Sequence, residues 1–354
     1  MKRLCFFLFV GIIGLSFTGC HSDGDSEEKP NNDSPRIKNY SSVTSPSSSN
    51  SYTLGANVPF EITAEQKIDS VTLDYRGVKQ TFNSGSFSWA ATNARTGSQR
   101  LKLMVHLESG PETHYLRIRF LSDVTPETYT YEVVNTFPHN TSFYTQGLFF
   151  KQDTLFESTG SRGESRLAKV NLTTGESYKT INLESRYFGE GSTFWGDKII
   201  YLTWTSQVGF VYDFNLNQTG TFQYAHEGWG ISTLGDTLVV SDGTEVIHFL
   251  NPHDYSEFDK LEVYDHEGKV VELNELEVID GLIYANVYTT EKVVAIDPKT
   301  GKVLKEIDLS GLLSPAETSG TDVLNGIAYH RESQKIYVTG KLWPKLFEVE
   351  FIPN

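Results

Sequence analysis

The sequence predicts an all-β protein: a five-bladed β-propeller preceded by a small immunoglobulin-like β-sandwich. Three observations carry this. Five stretches beyond residue 140 repeat one pattern at intervals of about 40 to 50 residues, the period of propeller blades. Residues 52–125 alternate apolar and polar with period two. Long segments of helical period are absent.

The repeats open at Gln146-Gly147-Leu148, Glu190-Gly191-Ser192, Glu227-Gly228-Trp229, Asn274-Glu275-Leu276 and Asn325-Gly326-Ile327. Each is followed by a turn and an apolar β-type run: Leu155-Phe156, Ile199-Ile200-Tyr201, Leu238-Val239-Val240, Ile283-Tyr284 and Ile336-Tyr337-Val338. First strands of propeller blades face a common axis. The openings should therefore gather Gln, Glu, Glu, Asn and Asn around one channel mouth, and unequal chemistry at equivalent positions is what an asymmetric binding site requires. Gly196-Asp197, Gly235-Asp236 and Asp280-Gly281 supply hairpin turns between first and second strands. The strand Thr130 to Thr136 is expected to pair with Leu346 to Phe351 and close the ring, which spans 126–354.

In the preceding segment Val71, Leu73 and Tyr75 share a face, as do Leu101, Leu103, Val105 and Leu107, with turns at Arg76-Gly77 and Ser109-Gly110-Pro111. Several short strands of this kind over residues 52–125 read as a sandwich, expected to serve as a spacer or interaction module. Residues 20–51 are rich in Ser, Asn, Asp and Pro and read as a flexible linker.

The first 19 residues read as a targeting signal. Lys2-Arg3 is the positive n-region, and Leu4 to Phe17 is an apolar run too short to span a bilayer comfortably. Phe17-Thr18-Gly19-Cys20 resembles a bacterial lipobox, in which Cys20 becomes the lipidated first residue. An ordinary secretory signal is the other reading. Asp23, Asp25, Glu27 and Glu28 resemble a surface-export signal of bacterial lipoproteins. The expectation is a lipid-anchored protein of the bacterial cell envelope, on the outer membrane and either periplasmic or surface-exposed. Cys5 and Cys20 are the two cysteines. Cys5 leaves with the signal, so the mature chain forms no internal disulfide.

The 354 residues carry a net charge of −15 and no basic run beyond Lys2-Arg3, which argues against nucleic-acid partners. The nine histidines show no ligand spacing, no phosphate-binding loop follows a strand, and neither metal nor cofactor is expected. The chain is expected to be monomeric.

A set of motifs then carries a resemblance. Phe137-Pro138-His139, Tyr144-Thr145-Gln146-Gly147-Leu148, Glu157-Ser158-Thr159-Gly160, Gly189-Glu190-Gly191, Leu202-Thr203-Trp204, Glu227-Gly228-Trp229-Gly230, Leu273-Asn274-Glu275-Leu276-Glu277 and Thr339-Gly340-Lys341-Leu342-Trp343-Pro344 occur in the order found in glutaminyl-peptide cyclotransferases of the plant and bacterial type. The resemblance covers about 130–354 and none of the chain before it. It implies a five-bladed propeller that converts the N-terminal glutamine of peptides or proteins to pyroglutamate and releases ammonia.

That reaction makes plain demands. The α-amine attacks the γ-carboxamide of its own residue, so effective concentration is high once the side chain folds back. Free α-amines have a pKa of about 7.7–8.0, so part of the population is ready to attack near neutrality. A base for the amine proton, an acid for the leaving ammonia and donors for the oxyanion suffice, without a metal. The resemblance makes Glu190 the base and acid. It places Gln146, Asn274 and Lys341 against substrate, with Lys341 supplying positive charge. For Gln146 and Asn274 a hydrogen bond tying blade to blade is the equal alternative. Trp204 and Trp229 match the family's aromatic pocket, although a Trp in a β-protein is more often core. Asn286-Val287-Tyr288 stands where the family reads Asn-Val-Trp; Tyr288 keeps an aromatic face but is smaller and adds a hydroxyl. That departure keeps an alternative open: a non-catalytic peptide-binding propeller lipoprotein of the cell envelope.

Overall fold

The computed structural model describes residues 39–354. The expected signal at 1–19, Cys20 and the expected linker up to residue 38 lie outside the described residues. All regular elements within them are strands, with no helix among the described residues.

Residues 41–121 form two sheets. One orders Ser41–Ser45, Asn57–Ala64 and Ser86–Ala90; the other orders Ser51–Thr53, Gly110–Leu121, Gly97–Leu107, Ile68–Tyr75 and Val78–Phe82. Alternation puts one face of each strand inside. Val58, Phe60, Val71, Leu73, Leu101, Leu103, Val105, Ile118 and Phe120 form the shared core, while Arg117 and Arg119 point to solvent. The linker expectation needs correction at its C-terminal end. Ser41–Ser45 is a strand in register with Asn57–Ala64, Ser41 opposite Ala64. Its serines pair through the backbone, Tyr40 and Val43 pack on the core, and Glu112 accepts from Ser41 N and Oγ.

The remaining chain builds sheets that share one plan. Three are four-stranded antiparallel meanders: Thr145–Lys151 to Ser177–Asn182, Gly189–Trp195 to Gln218–Gln223, and Ile231–Leu234 to Glu257–Glu262. An eight-stranded sheet holds two further meanders. One runs from Leu273–Ile279 to Val303–Asp308. The other comprises Leu324–His330, Lys335–Gly340 and Lys345–Pro353, with Glu127–Pro138 as its fourth strand. Glu127–Pro138 pairs antiparallel with Lys345–Pro353, Thr136 opposite Phe347 and Thr130 opposite Ile352. Its first residues also pair in parallel with Lys305 to Ile307, which joins the two meanders. Neighbouring sheets cover each other's faces. The second strands, such as Lys198–Thr203 and Thr237–Ser241, are therefore buried on both sides. Their apolar residues form continuous runs rather than alternating.

The five first strands stand side by side in a closed circle, each beside the next and Leu324–His330 beside Thr145–Lys151. Glycines set the radius. A Cβ on Gly147 would lie 3.0 Å from Gly191 Cα, one on Gly191 2.9 Å from Gly230 Cα, and one on Gly230 2.8 Å from Glu275 Cα. This corrects the third opening. Its equivalent residues are Trp229-Gly230-Ile231, so Glu227 lies two positions before the circle and Trp229 takes the place that Glu190 occupies in the second. In the fourth strand Glu275 replaces the glycine. Its carboxylate accepts from Leu148 N at 3.2 Å and Ile327 N at 2.8 Å, tying the fourth strand to the first and fifth.

Candidate active site

Strand starts at one end of this circle surround a cavity of about 390 Å³ lined by Tyr144, Gln146, Phe188, Glu190, Trp204, Trp229, Asn274, Tyr288 and Lys341. All seven residues singled out from the sequence, Glu190, Gln146, Trp204, Trp229, Asn274, Tyr288 and Lys341, face this one space.

Glu190 enters from Gly189–Trp195. The glycines beside it are sterically required. A Cβ on Gly189 would collide with the Tyr201 hydroxyl and lie 2.8 Å from Thr159 O, and one on Gly191 would lie 2.6 Å from Trp229 O. The backbone is held from both sides, with Ser158 Oγ donating to Glu190 O at 2.8 Å and Gly191 N to Trp229 O at 2.7 Å. The side chain is buried, and no hydrogen-bond donor among the described residues reaches its carboxylate. Burial drives its pKa well above the ordinary value of 4.5; Lys341 opposes the rise and Glu227 adds to it.

Lys341 follows the strand Lys335–Gly340, its N donating to Val323 O at 2.9 Å. Its ammonium lies 4.7 Å from the Tyr144 ring centroid and 4.9 Å from that of Tyr288. Burial lowers its pKa, with Glu190 and Asp322 acting the other way. Acid and ammonium are thus both pushed toward their neutral forms, which makes a proton easy to exchange nearby.

Both amides line the cavity, and the Gln146 side chain also ties two strands together. Gln146 Oε1 accepts from Asn325 Nδ2 at 3.1 Å, and Asn325 Nδ2 also donates to Thr145 O at 2.9 Å, so this pair ties the first and fifth strands while Gln146 lines the cavity. Asn274 is tied through its backbone, its O accepting from Ser241 Oγ at 2.6 Å. Its Oδ1 is buried without a partner among the described residues. A buried acceptor beside a cavity is ready for a ligand N–H.

The walls are aromatic. Phe188 meets Trp204 edge-on at 5.6 Å, and Trp229 meets Tyr288 edge-on at 5.6 Å. Trp204 is 37% exposed and forms the rim, so it is wall rather than core. Glu227 stands in the sequence as a repeat opening and within a family motif, with no role of its own assigned. Its Oε2 accepts from Trp204 Nε1 at 2.6 Å and Trp229 Nε1 at 3.1 Å, fixing both indoles. Tyr144 lies inside one of the family motifs and Phe188 immediately before another, yet nothing local separates a wall ring from a core ring.

Residues 105–351 match the family model for glutamine cyclotransferase. The chain belongs to the glutamine cyclotransferase family. The match begins in the strand Gly97–Leu107, earlier than the motifs alone reach. The chain is 41% identical over 226 residues to a glutaminyl-peptide cyclotransferase of Arabidopsis thaliana, covering 62% of this chain and 70% of that protein. Its structure is similar to that of Myxococcus xanthus glutaminyl cyclase, with a TM-score of 0.61 and 34% identity, covering 65% of this chain and 99% of the other. For a member of the glutamine cyclotransferase family, a buried carboxyl that no donor among the described residues reaches, set among rings and amides, is suited to proton transfer on a small polar side chain.

Proposed function

We propose that this cavity cyclises the N-terminal glutamine of a peptide to pyroglutamate, with Glu190 carrying the proton. Family membership makes the reaction that of a glutaminyl-peptide cyclotransferase acting on peptides with an N-terminal glutamine. The observation that carries the assignment to this cavity is the Glu190 carboxyl, buried, raised in pKa and without a donor among the described residues. The α-amine nitrogen attacks the side-chain Cδ while Glu190 takes its proton. The tetrahedral carbon then collapses, Glu190 returns that proton to the amide nitrogen, and ammonia leaves. The Lys341 ammonium offsets charge developing on the former amide oxygen. Gln146 and Asn274 hold the carboxamide, and the rings of Trp204, Trp229 and Tyr288 exclude water and keep the side chain folded back. Each step uses side chains alone, so the chemistry is metal-independent.

The circle of five first strands supports reading this part of the chain as a five-bladed β-propeller, and the two N-terminal sheets around one core support an immunoglobulin-like sandwich. The protein is proposed to be a monomeric envelope lipoprotein anchored through Cys20. A Cys20→Ala variant that is still processed and still sediments with membranes would remove the anchor from this account.

The deciding experiment is ammonia release from peptides beginning with Gln. Glu190→Gln keeps size and hydrogen bonding but cannot shuttle a proton. It should lower kcat by about 10²- to 10⁴-fold with peptide affinity retained. A wild type inactive on every such peptide, and not rescued by Tyr288→Trp, would leave a peptide-binding module instead.

A further inference from the structure

Outside the cavity, three side chains spaced 22 and 9 residues apart converge. His226 precedes the third circle strand, His248 lies on Val246–Leu250 and Glu257 opens Glu257–Glu262. One ligand atom from each lies within 4.8 Å of the other two. His226 Nε2 is 3.9 Å from Glu257 Oε2, and His248 Nδ1 is 2.9 Å from the same oxygen. We propose that His226 Nε2, His248 Nδ1 and Glu257 Oε2 form a binding site for one divalent transition-metal ion of the zinc type.

The partners of the other ring nitrogens support this. His226 Nδ1 is 2.6 Å from the Glu227 carbonyl oxygen, which can only accept, so the proton belongs on Nδ1. That leaves Nε2 as a lone pair. It is buried without a hydrogen-bond partner among the described residues, on a side chain 10% exposed. His248 Nε2 is 3.0 Å from Asp242 Oδ2. A ring proton held there turns the Nδ1 lone pair toward a carboxylate oxygen. With His248 neutral, three acceptors face one another, an arrangement that a cation between them would satisfy. Carbonyl or carboxylate behind each histidine is also the outer arrangement that fixes metal-binding tautomers.

Two imidazoles and a carboxylate are a donor set for zinc rather than for magnesium or calcium. Tetrahedral zinc with bonds of about 2.0–2.1 Å needs donors roughly 3.3 Å apart, a spacing that the observed 2.9 and 3.9 Å bracket. The rings stack face to face, 3.6 Å between centroids and 13° between planes. Ligation therefore requires each to turn about Cβ–Cγ so that both lone pairs meet one point. Solvent completes the coordination through a groove of about 370 Å³ that His226 and Glu257 line with Tyr224 and Tyr255. The ion would act structurally. The carbonyl that fixes His226 belongs to Glu227, whose carboxylate holds Trp204 and Trp229. The site leaves the proposed proton transfer at Glu190 metal-independent.

The test is titration of the chelator-stripped full chain with Zn²⁺ and Co²⁺, followed by calorimetry and by the visible absorption of tetrahedral Co²⁺. One equivalent should bind, and excess Mg²⁺ should not displace it. Asp242→Asn should weaken binding about 10- to 100-fold; His226→Gln and Glu257→Gln should weaken it further. Glu257 is 38% exposed at the groove, so its variant keeps the test valid if a histidine variant fails to fold. No saturable equivalent in wild type, or equal affinity in wild type and the Glu257→Gln variant, would overturn the site.

Discussion

The Lys341 ammonium lies 4.9 Å from the centroid of the Tyr288 ring. The same ring meets Trp229 edge-on, so residue 288 links the cation to the aromatic wall. An aromatic face so placed is worth about 0.5–2 kcal/mol to a cation, roughly 2- to 30-fold in a rate or equilibrium constant. Tyr288→Ala should lower kcat/KM on Gln peptides within that range. Tyr288→Trp, which presents the stronger face, should keep or raise it. A Trp variant less active than the Ala variant would mean that the space left by Tyr288 is itself used by substrate.

Neighbouring charges give the acid limb of the pH–rate profile a direction that can be tested by subtraction. In the proposed reaction Glu190 must be ionised to accept the amine proton, so its contribution is lost as pH falls through its folded pKa, which lies well above 4.5. Lys341 lowers that value and Glu227 raises it. Lys341→Met should therefore move the acid limb of kcat to higher pH, and Glu227→Gln should move it to lower pH. Comparing variants on one peptide cancels the titration of the substrate's amine. Shifts of the same sign in both would show that Glu190 does not set this limb.

Glu277 makes a stability prediction. Burial lifts its pKa to about 8, with Arg331 and a hydrogen bond from Ser232 opposing. The folded state keeps this proton up to about pH 8, while the unfolded chain releases it near 4.5. Between these values the folded state binds more protons, so the stability contributed at low pH is lost as pH rises. Glu277→Gln should melt close to wild type below about pH 4.5 and above it at pH 9. A difference in Tm that does not vary with pH across this window would mean that Glu277 is ionised throughout.

Periodicity made the circle of strands readable, since a propeller-like repeat leaves its mark every 40 to 50 residues and turn residues punctuate it. The slip at the third opening has a physical cause. Glu227-Gly228 copies Glu190-Gly191 in type, but the glycine that packs on the next strand is Gly230, and only that contact reveals it. Glu275 reads as one more polar opening residue until its carboxylate is seen to take two amides across the circle. His226, His248 and Glu257 come from separate segments with no local ligand spacing. Strand Ser41–Ser45 hides in a serine-rich tract because backbone pairing supplies what its side chains do not.

The N-terminal sheets touch the rest of the chain away from the cavity. Arg76 and Arg95 pair with Asp259 at 2.8 and 2.7 Å, Thr96 Oγ1 donates to Glu262 O and Thr300 O, and Ser122 N donates to Asp265 O. These partners lie on the outer strand Glu257–Glu262 and on turns, whereas the cavity is built from the starts of first strands and the residues after second strands. The strand Glu127–Pro138 completes the last sheet and must be kept. A chain beginning at Pro126 should therefore retain kcat/KM on Gln peptides. Its Tm should fall, because the ion pairs to Asp259 and the hydrogen bonds to Glu262 and Thr300 are lost. The freed carbonyls become accessible to water, so the loss should be modest rather than unfolding. Melting curves beside ammonia-release kinetics separate the outcomes. A shortened chain that melts cooperatively yet releases no ammonia would show that the N-terminal sheets shape the active cavity.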